Sequence, residues 1–301
     1  MLTIGSRGSK LALWQAHWIK GRLEEMGEAC RIEIIKTTGD KITDVPLAQI
    51  GGKGLFTKEI EEALIRGEID LAVHSMKDLP TILPGGLAVT AIPEREDPRD
   101  ALLGSALAGL AQGSRVGTSS LRRAAQLRAL RPDLAVEPLR GNLDTRLRKL
   151  DEGRYQAIVL AFAGLKRMGW DDRVAEVLSV NHMCPAVGQG ALAIETRSGG
   201  GHAEQLCLRL DHAGTRVAVT AERALLAGLG GGCQVPIGAY AKVEDDALHL
   251  TAVVCSPDGE RLIRRNADGA PGAADELGRR LAEELLEAGA DDILEAVYGG
   301  P

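Results

Sequence analysis

Twice along this chain an apolar strand end runs through glycine and hydroxyl residues into a positively charged helix. The passages are Ile4-Gly5-Ser6-Arg7-Gly8-Ser9-Lys10-Leu11 and Val116-Gly117-Thr118-Ser119-Ser120-Leu121-Arg122-Arg123. A strand that turns through polar residues and opens a helix is the building unit of layered α/β folds. Two such units within 301 residues, 45% of them hydrophobic, indicate two α/β lobes with room for a further domain.

The segments between them agree. Leu2 to Ile4 reads as a strand, and Leu11 to Met26 as a helix that Gly27 ends. Arg31 to Lys36, Ile69 to His74 and Leu87 to Ile92 read as strands, with a helix over Lys58 to Arg66. The segment 93–100 is charged and carries two prolines, which marks a crossing between domains. Beyond it, strands at Val116, Leu134 to Leu139 and Ala157 to Leu160 alternate with helices over Leu121 to Leu130 and Leu143 to Glu152. Past Gly214 the pattern changes to a helix over Val217 to Leu229 and then antiparallel strands, Ile237 to Val243, Ala247 to Cys255 and from Arg261 onward. Leu248, Leu250, Ala252 and Val254 alternate with His249, Thr251, Val253 and Cys255, the signature of a two-faced strand. A closing amphipathic helix carries Leu277, Leu281 and Leu285.

Charge narrows the partners. Residues 115–149 hold nine Lys/Arg against three Asp/Glu, so that on a chain of net charge −6 the remainder carries −12. Aromatic residues make up only 3%, too few for base stacking, and an acidic small molecule fits the basic region better than nucleic acid. The N-terminal residues show no export signal and no stretch has the length of a membrane span, so a cytoplasmic location is expected. The five cysteines are scattered, without a C-x-x-C pair, and indicate neither a disulfide framework nor a metal site. No Gly-x-x-x-x-Gly-Lys-Ser/Thr is present, which argues against a nucleotide phosphate loop.

Four places carry candidate chemistry. Arg122 and Arg123 stand in a first helical turn, against the macrodipole, unless an anion is bound there by the helix N–H groups and the hydroxyls before it. Arg140 and Arg146, around the Asn142 cap, repeat the theme. Asp78, in His74-Ser75-Met76-Lys77-Asp78-Leu79-Pro80, follows a strand at the sheet edge where α/β folds place ligands. Beside a heterocycle its carboxylate can accept an N–H hydrogen bond and stabilise a cation. Cys233 follows three glycines, a pliant setting for a thiol that carries something.

These motifs resemble the porphobilinogen deaminase (hydroxymethylbilane synthase) family. The resemblance lies in residues 5–16, 51–56, 74–80, 116–123, 139–147, 185–192 and 231–240, and so runs along the whole chain. It implies two periplasmic-binding-protein-like lobes with a cleft between them and a C-terminal α+β domain with a small antiparallel sheet. The implied boundaries are 1–93 plus about 190–212, 94–189, and 213–301. The implied reaction condenses four porphobilinogen molecules head to tail onto a dipyrromethane primer, releasing ammonia and 1-hydroxymethylbilane, without a metal. By the same resemblance Cys233 anchors the dipyrromethane through a thioether and Asp78 is the catalytic carboxylate. Lys77, Ser120, Arg122, Arg123, Arg140 and Arg146 bind the cofactor. Arg7, Ser9, Thr118, Ser119, Arg140, Arg146 and Arg167 bind substrate. Gly51, Gly52, Lys53, Gly54 and Phe56 belong to a mobile cover, and the family precedent is a monomer. Gly230 and Gln49 depart from the family, which commonly has Glu and Lys there. The competing classes are a non-catalytic binding protein and a thiol enzyme, the latter requiring a base beside Cys233.

Overall fold

Among the residues that the computed structural model describes, 1–41, 54–231 and 235–298, the alternating segments form two five-stranded mixed sheets and a three-stranded antiparallel one. The first sheet uses β1 (Leu2–Ser6), β2 (Cys30–Ile34), β3 (Leu71–Ser75) and β4 (Leu87–Ala91), and the second β5 (Asp100–Leu103), β6 (Arg115–Gly117), β7 (Ala135–Glu137), β8 (Ala157–Ala161) and β9 (Val174–Val177). A late strand, β10 (Leu192–Arg197), returns to the first sheet, giving the orders β2-β1-β3-β10-β4 and β7-β6-β8-β5-β9. The plan is the same in both: β10 runs antiparallel to β3 and β4, and β5 antiparallel to β8 and β9. The chain divides accordingly into Met1–Glu96 with Ala191–Arg216, and Asp97–Gly190 with Val217–Pro301. In each unit the antiparallel strand is the first one formed after the chain arrives from the other.

In the first unit the helix Lys10–Glu25 opens on Ser9, whose Oγ accepts the Ala12 N–H. It buries Ala16, Ile19 and Leu23, at helical spacing, against Leu2, Ile4, Leu71, Val73 and Ile194. The helix Lys58–Ile65 sets Ile60, Ala63 and Leu64 on a second apolar cluster with Ile69, Ala72 and Leu87. Alternate residues of β3 thus belong to different clusters, as pleating requires.

The second unit repeats this with the helix Leu121–Leu130, whose Leu127 packs among Leu102, Val116 and Val159. Its C-terminal part opens with the helix Ala213–Gly228, four residues earlier than the sequence pattern suggested. The strands β11 (Ile237–Glu244), β12 (Ala247–Cys255) and β13 (Leu262–Gly269) follow, then the helix Ala274–Leu285 with Leu277, Leu281 and Leu285 buried. Leu248, Leu250, Ala252 and Val254 face that core, as the alternation predicts. The opposite face is not simply polar: Val253 and Cys255 are buried too, packed with Ala125 and Cys184. No described helix is long and apolar enough to cross a membrane.

Sequence reading missed β5, β9 and β10 and the helices Phe162–Arg167, His202–Leu208 and Asp291–Tyr298. It also placed Asp100 in the charged crossing, whereas Asp100 is the first residue of β5 and has no exposed surface. These elements are short, and the three strands take their shape from the sheet they join.

Gly278, on the helix Ala274–Leu285, lies where an added Cβ would be 2.3 Å from the Ala221 carbonyl oxygen. Gly278→Ala is expected to force the two helices apart and to cost about 1–3 kcal/mol, read as a lower urea midpoint with unchanged m-value.

Candidate functional site

Among the described residues, six of the predicted ones belong to the first unit, and four of them line one small recess of about 70 Å3: Arg7, Ser9, Phe56 and Asp78. Gln15, Thr57, His74 and Ser75 complete its polar lining. Asp78 ends a single 3-10 turn, Met76–Asp78, that follows β3, and it is half-buried. The turn is fixed at both ends, by Met76 N–H donating to the Ala191 carbonyl at 3.0 Å and Leu79 N–H donating to the Met76 carbonyl. The half-buried Lys77 lies within this turn. Below the recess Gln15 Nε2 donates to Ser75 Oγ at 3.0 Å, tying the helix Lys10–Glu25 to the end of β3.

Arg7 stacks over the Phe56 ring, 4.1 Å from its centroid, while its Nε donates to Asp40 Oδ1 at 3.2 Å. Phe56 is seated by Gly39, where a Cβ would come within 2.2 Å of the ring. Burial alone would raise the Asp40 carboxyl, but hydrogen bonds from Arg7 and Thr37 outweigh it and hold the group below its ordinary range. Gly54, at positive φ, turns the chain into the helix that follows. Gly51, Gly52 and Lys53 lie outside the described residues.

The second unit holds the other arginines. Ser120 caps the helix Leu121–Leu130 by accepting the Arg123 N–H, and Ser119 Oγ donates to the Leu139 carbonyl at 2.8 Å. Thr118 is buried, and its Oγ1 accepts the Ser120 N–H. Arg122 and Arg123 are 3% and 5% exposed, and both meet Asp100. Arg122 Nη1 is 2.7 Å from Asp100 Oδ2 and 2.6 Å from the Cys184 carbonyl. Arg123 Nε and Nη2 lie 2.9 and 2.7 Å from Asp100 Oδ1. Gln189 Nε2 adds a bond to the same oxygen at 2.8 Å. Two guanidiniums on one carboxylate leave a buried surplus of one positive charge. Arg122 Nε is buried without a hydrogen-bond partner, which costs about 1–3 kcal/mol until an acceptor arrives. Desolvation would raise the Asp100 carboxyl, yet the two cations hold it far below its ordinary range. Burial in turn lowers Arg123.

Arg140 is half-buried, with its carbonyl accepting from Lys149 Nζ. Asn142 caps the helix Leu143–Asp151, and Arg146 Nε donates to the Gly141 carbonyl at 2.8 Å. Arg167 Nη2 donates to the Gly190 carbonyl at 2.6 Å. Sequence reading had no warning of Asp100 or Gln189. The one available signal was a carboxylate directly before the apolar run Ala101-Leu102-Leu103.

Cys233 lies outside the described residues, but both flanks are anchored. Gly230, at φ +64°, is the C′ residue of a Schellman ending, with Gly230 N–H on the Ala227 carbonyl and Gly231 N–H on the Leu226 carbonyl. A glycine suits that left-handed position better than the family's Glu. Past Cys233, Val235 and Ile237 sit in the C-terminal core. The buried Glu222 bonds Gly188 N–H at 2.7 Å and Ala241 N–H at 2.8 Å, joining the segment before β10 to β11. The described cysteines are all buried and free. Burial pushes the Cys184 and Cys207 thiols up to about 12 and Cys255 to about 11. None of these three is a nucleophile at neutral pH. Among the described residues no cluster of His, Cys, Asp and Glu has the make-up of a metal site.

Two family models match. Residues 2–205 match the porphobilinogen deaminase, dipyromethane cofactor binding domain, and residues 217–287 the porphobilinogen deaminase C-terminal domain. The chain is 53% identical to the porphobilinogen deaminase of Syntrophobacter fumaroxidans, over 99% of this chain and 98% of that one. It is also 53% identical to that of Geobacter metallireducens, over 99% and 95%. Among solved structures it is similar to a periplasmic substrate-binding protein from Coxiella burnetii, with 12% identity, a TM-score of 0.43 and coverage of 70% and 92%.

Removing the central carboxylate should be costly. Asp100→Asn is expected to lose about 3–5 kcal/mol at pH 7, because two buried guanidiniums lose their counter-ion. Since the folded-state carboxyl is depressed, this stabilisation is full above the unfolded value of about 3.9 and is lost as pH falls. Urea titrations should therefore show the gap between wild type and variant narrowing below about pH 4.

Proposed function

The chain belongs to the porphobilinogen deaminase family, and on that footing we propose how its residues share the reaction. It is a transferase that condenses four porphobilinogen molecules onto a dipyrromethane primer and releases ammonia and 1-hydroxymethylbilane, a step of tetrapyrrole synthesis. The dipyrromethane supplies the free pyrrole carbon from which the chain grows. Its carboxylates suit the residues present, and the observation that carries this is the Arg122/Arg123 pair: two buried cations on one internal carboxylate, with Arg122 Nε still lacking an acceptor. Arg122, Arg123, Arg140 and Arg146, with Lys77 and Ser120, would hold the primer, and Cys233 Sγ would anchor it by a thioether. The inert state of the Cys184, Cys207 and Cys255 thiols supports that choice.

Arg7, Ser9, Thr118, Ser119 and Arg167, together with Arg140 and Arg146, take the acetate and propionate groups of substrate. Arg7 is suited to exchange, because its partner Asp40 is partly exposed and a substrate carboxylate offers the same bidentate geometry. Asp78 accepts the pyrrole N–H. When the C–N bond of the protonated aminomethyl group breaks, the bonding pair leaves with nitrogen as ammonia, and a fixed carboxylate stabilises the pyrrole-methylene cation left behind. The reading extends to a monomer acting in the cytoplasm, where free thiols such as the four described cysteines are the rule.

Two measurements test the assignment. The intact mass of protein from a haem-making host should exceed the chain mass by two porphobilinogen units less their ammonia, and Cys233→Ser should lack the increment. Asp78→Asn should reduce hydroxymethylbilane formation by about 10²–10³-fold with an unchanged melting temperature, and full activity in that variant would remove Asp78 from the mechanism.

A further inference from the structure

The recess of the first unit contains a second group able to take up a proton. Of the described side chains lining it, Arg7, His74 and Asp78 are ionisable. Arg7 keeps its charge at any working pH, which leaves His74 and Asp78. In the reaction above, Asp78 is of use only while it stays negative beneath the pyrrole N–H. Chain growth nevertheless frees a proton each time: the free α-carbon of the last pyrrole forms a C–C bond to the incoming methylene, and its C–H bond must then break.

His74 is built for that proton. It lies near the end of β3, and its Nε2 is 3.0 Å from Glu195 Oε2 on the neighbouring strand β10. The two side chains are 4% and 0% exposed. With Glu195 ionised its carboxylate can only accept, so that Nε2 carries the hydrogen and Nδ1 keeps the lone pair. A carboxylate fixed behind an imidazole also stabilises the imidazolium, as in the orienting acid of a Ser-His-Asp triad. Glu61, from the helix Lys58–Ile65, belongs to the same cluster: burial, and then the charge of Glu195, raise its carboxyl. Glu61 Oε1 and Glu195 Oε1 are both buried without hydrogen-bond partners. A second negative charge there would be costly. Among the described residues, the ionisable groups near the ring are thus Glu195 from β10 and Glu61 from the helix, with Arg7 and Asp78 lining the same recess.

We propose that His74, oriented by Glu195, is the proton acceptor of chain extension, and the inference rests on the reaction assigned above. Nδ1 takes the proton from the α-carbon, and the C–H bonding pair returns to the pyrrole ring. The imidazolium then protonates the ammonia released in the same cycle, which departs as ammonium, so each addition is balanced without another reactant.

The test uses the cofactor-loaded enzyme and porphobilinogen deuterated at its free α-carbon. His74→Gln should lower kcat about 100-fold or more. It should also enlarge the deuterium isotope effect relative to wild type, since C–H breaking becomes slow, and should remove the low-pH limb of kcat/KM that reports the ring. Glu195→Gln should move that limb to lower pH. In 15N-histidine NMR of the resting protein, wild-type His74 should carry its proton on Nε2, and Glu195→Gln should lower the pH at which the ring titrates. A His74→Gln enzyme with wild-type kcat and pH profile would overturn the proposal. So would a slower enzyme with unchanged isotope effect and profile, which would mark His74 as a packing residue only. If circular dichroism shows that His74→Gln does not fold, Glu195→Gln decides, and an unmoved limb with an unmoved ring titration overturns the idea. Wild type is assayed alongside for ammonia release. Absence of turnover there sinks the assigned reaction together with this inference, whereas turnover with unmoved variants sinks the inference alone.

Discussion

The buried contact of Asp100 with Arg122 and Arg123 is the interaction on which the second unit depends. Taking three ions out of water costs several kcal/mol for each, and only close, hydrogen-bonded geometry offsets that. The cluster supplies the geometry through four segments at once: the start of β5, the first turn of the helix Leu121–Leu130, the Cys184 carbonyl and Gln189. It also resolves a conflict in the helix itself. Two arginines at a helix N-terminus oppose the macrodipole, and Asp100 provides one of the anions that this position demands. One carboxylate for two guanidiniums is an incomplete answer, and the remaining positive charge is what a carboxylate-bearing ligand can use.

The first unit handles charge differently. Among the described residues lining its recess the one permanent cation, Arg7, is partly exposed and lies on an aromatic ring beside Asp40. Its buried carboxyl groups, Glu61 and Glu195, are grouped about one histidine. A guanidinium that must take and release substrate carboxylates should not be locked. A group that must gain and lose protons should sit where its charge is governed by a few fixed neighbours. In the proposed assignment the recess combines the two, with Asp78 held by a turn bonded to the backbone just before β10.

Much of the site was legible because its parts are local. Ser9, Ser120 and Asn142 announce helix starts through a hydroxyl or amide two to three residues before the N–H they cap. Asp78 was legible as the acid after a strand. What the arginines touch was not legible: Arg122 and Arg123 look like a solvated basic patch in sequence and are among the most buried polar residues of the fold. His74 reads as an ordinary strand-end histidine until Glu195 is seen beside it.

The sequence by itself determined the α/β alternation, the helix caps, the two-faced strand β12 and the family, since each depends on spacings of a few residues or on motifs continuous in the chain. Tertiary structure alone decided that β5 and β10 take the antiparallel places in their sheets, that Asp100 is a buried counter-ion, and that Glu195 stands behind His74. The two charge pairings join residues 22 to 121 positions apart. No local propensity encodes such a pairing. It exists only once the sheets have formed and removed water from between the charges.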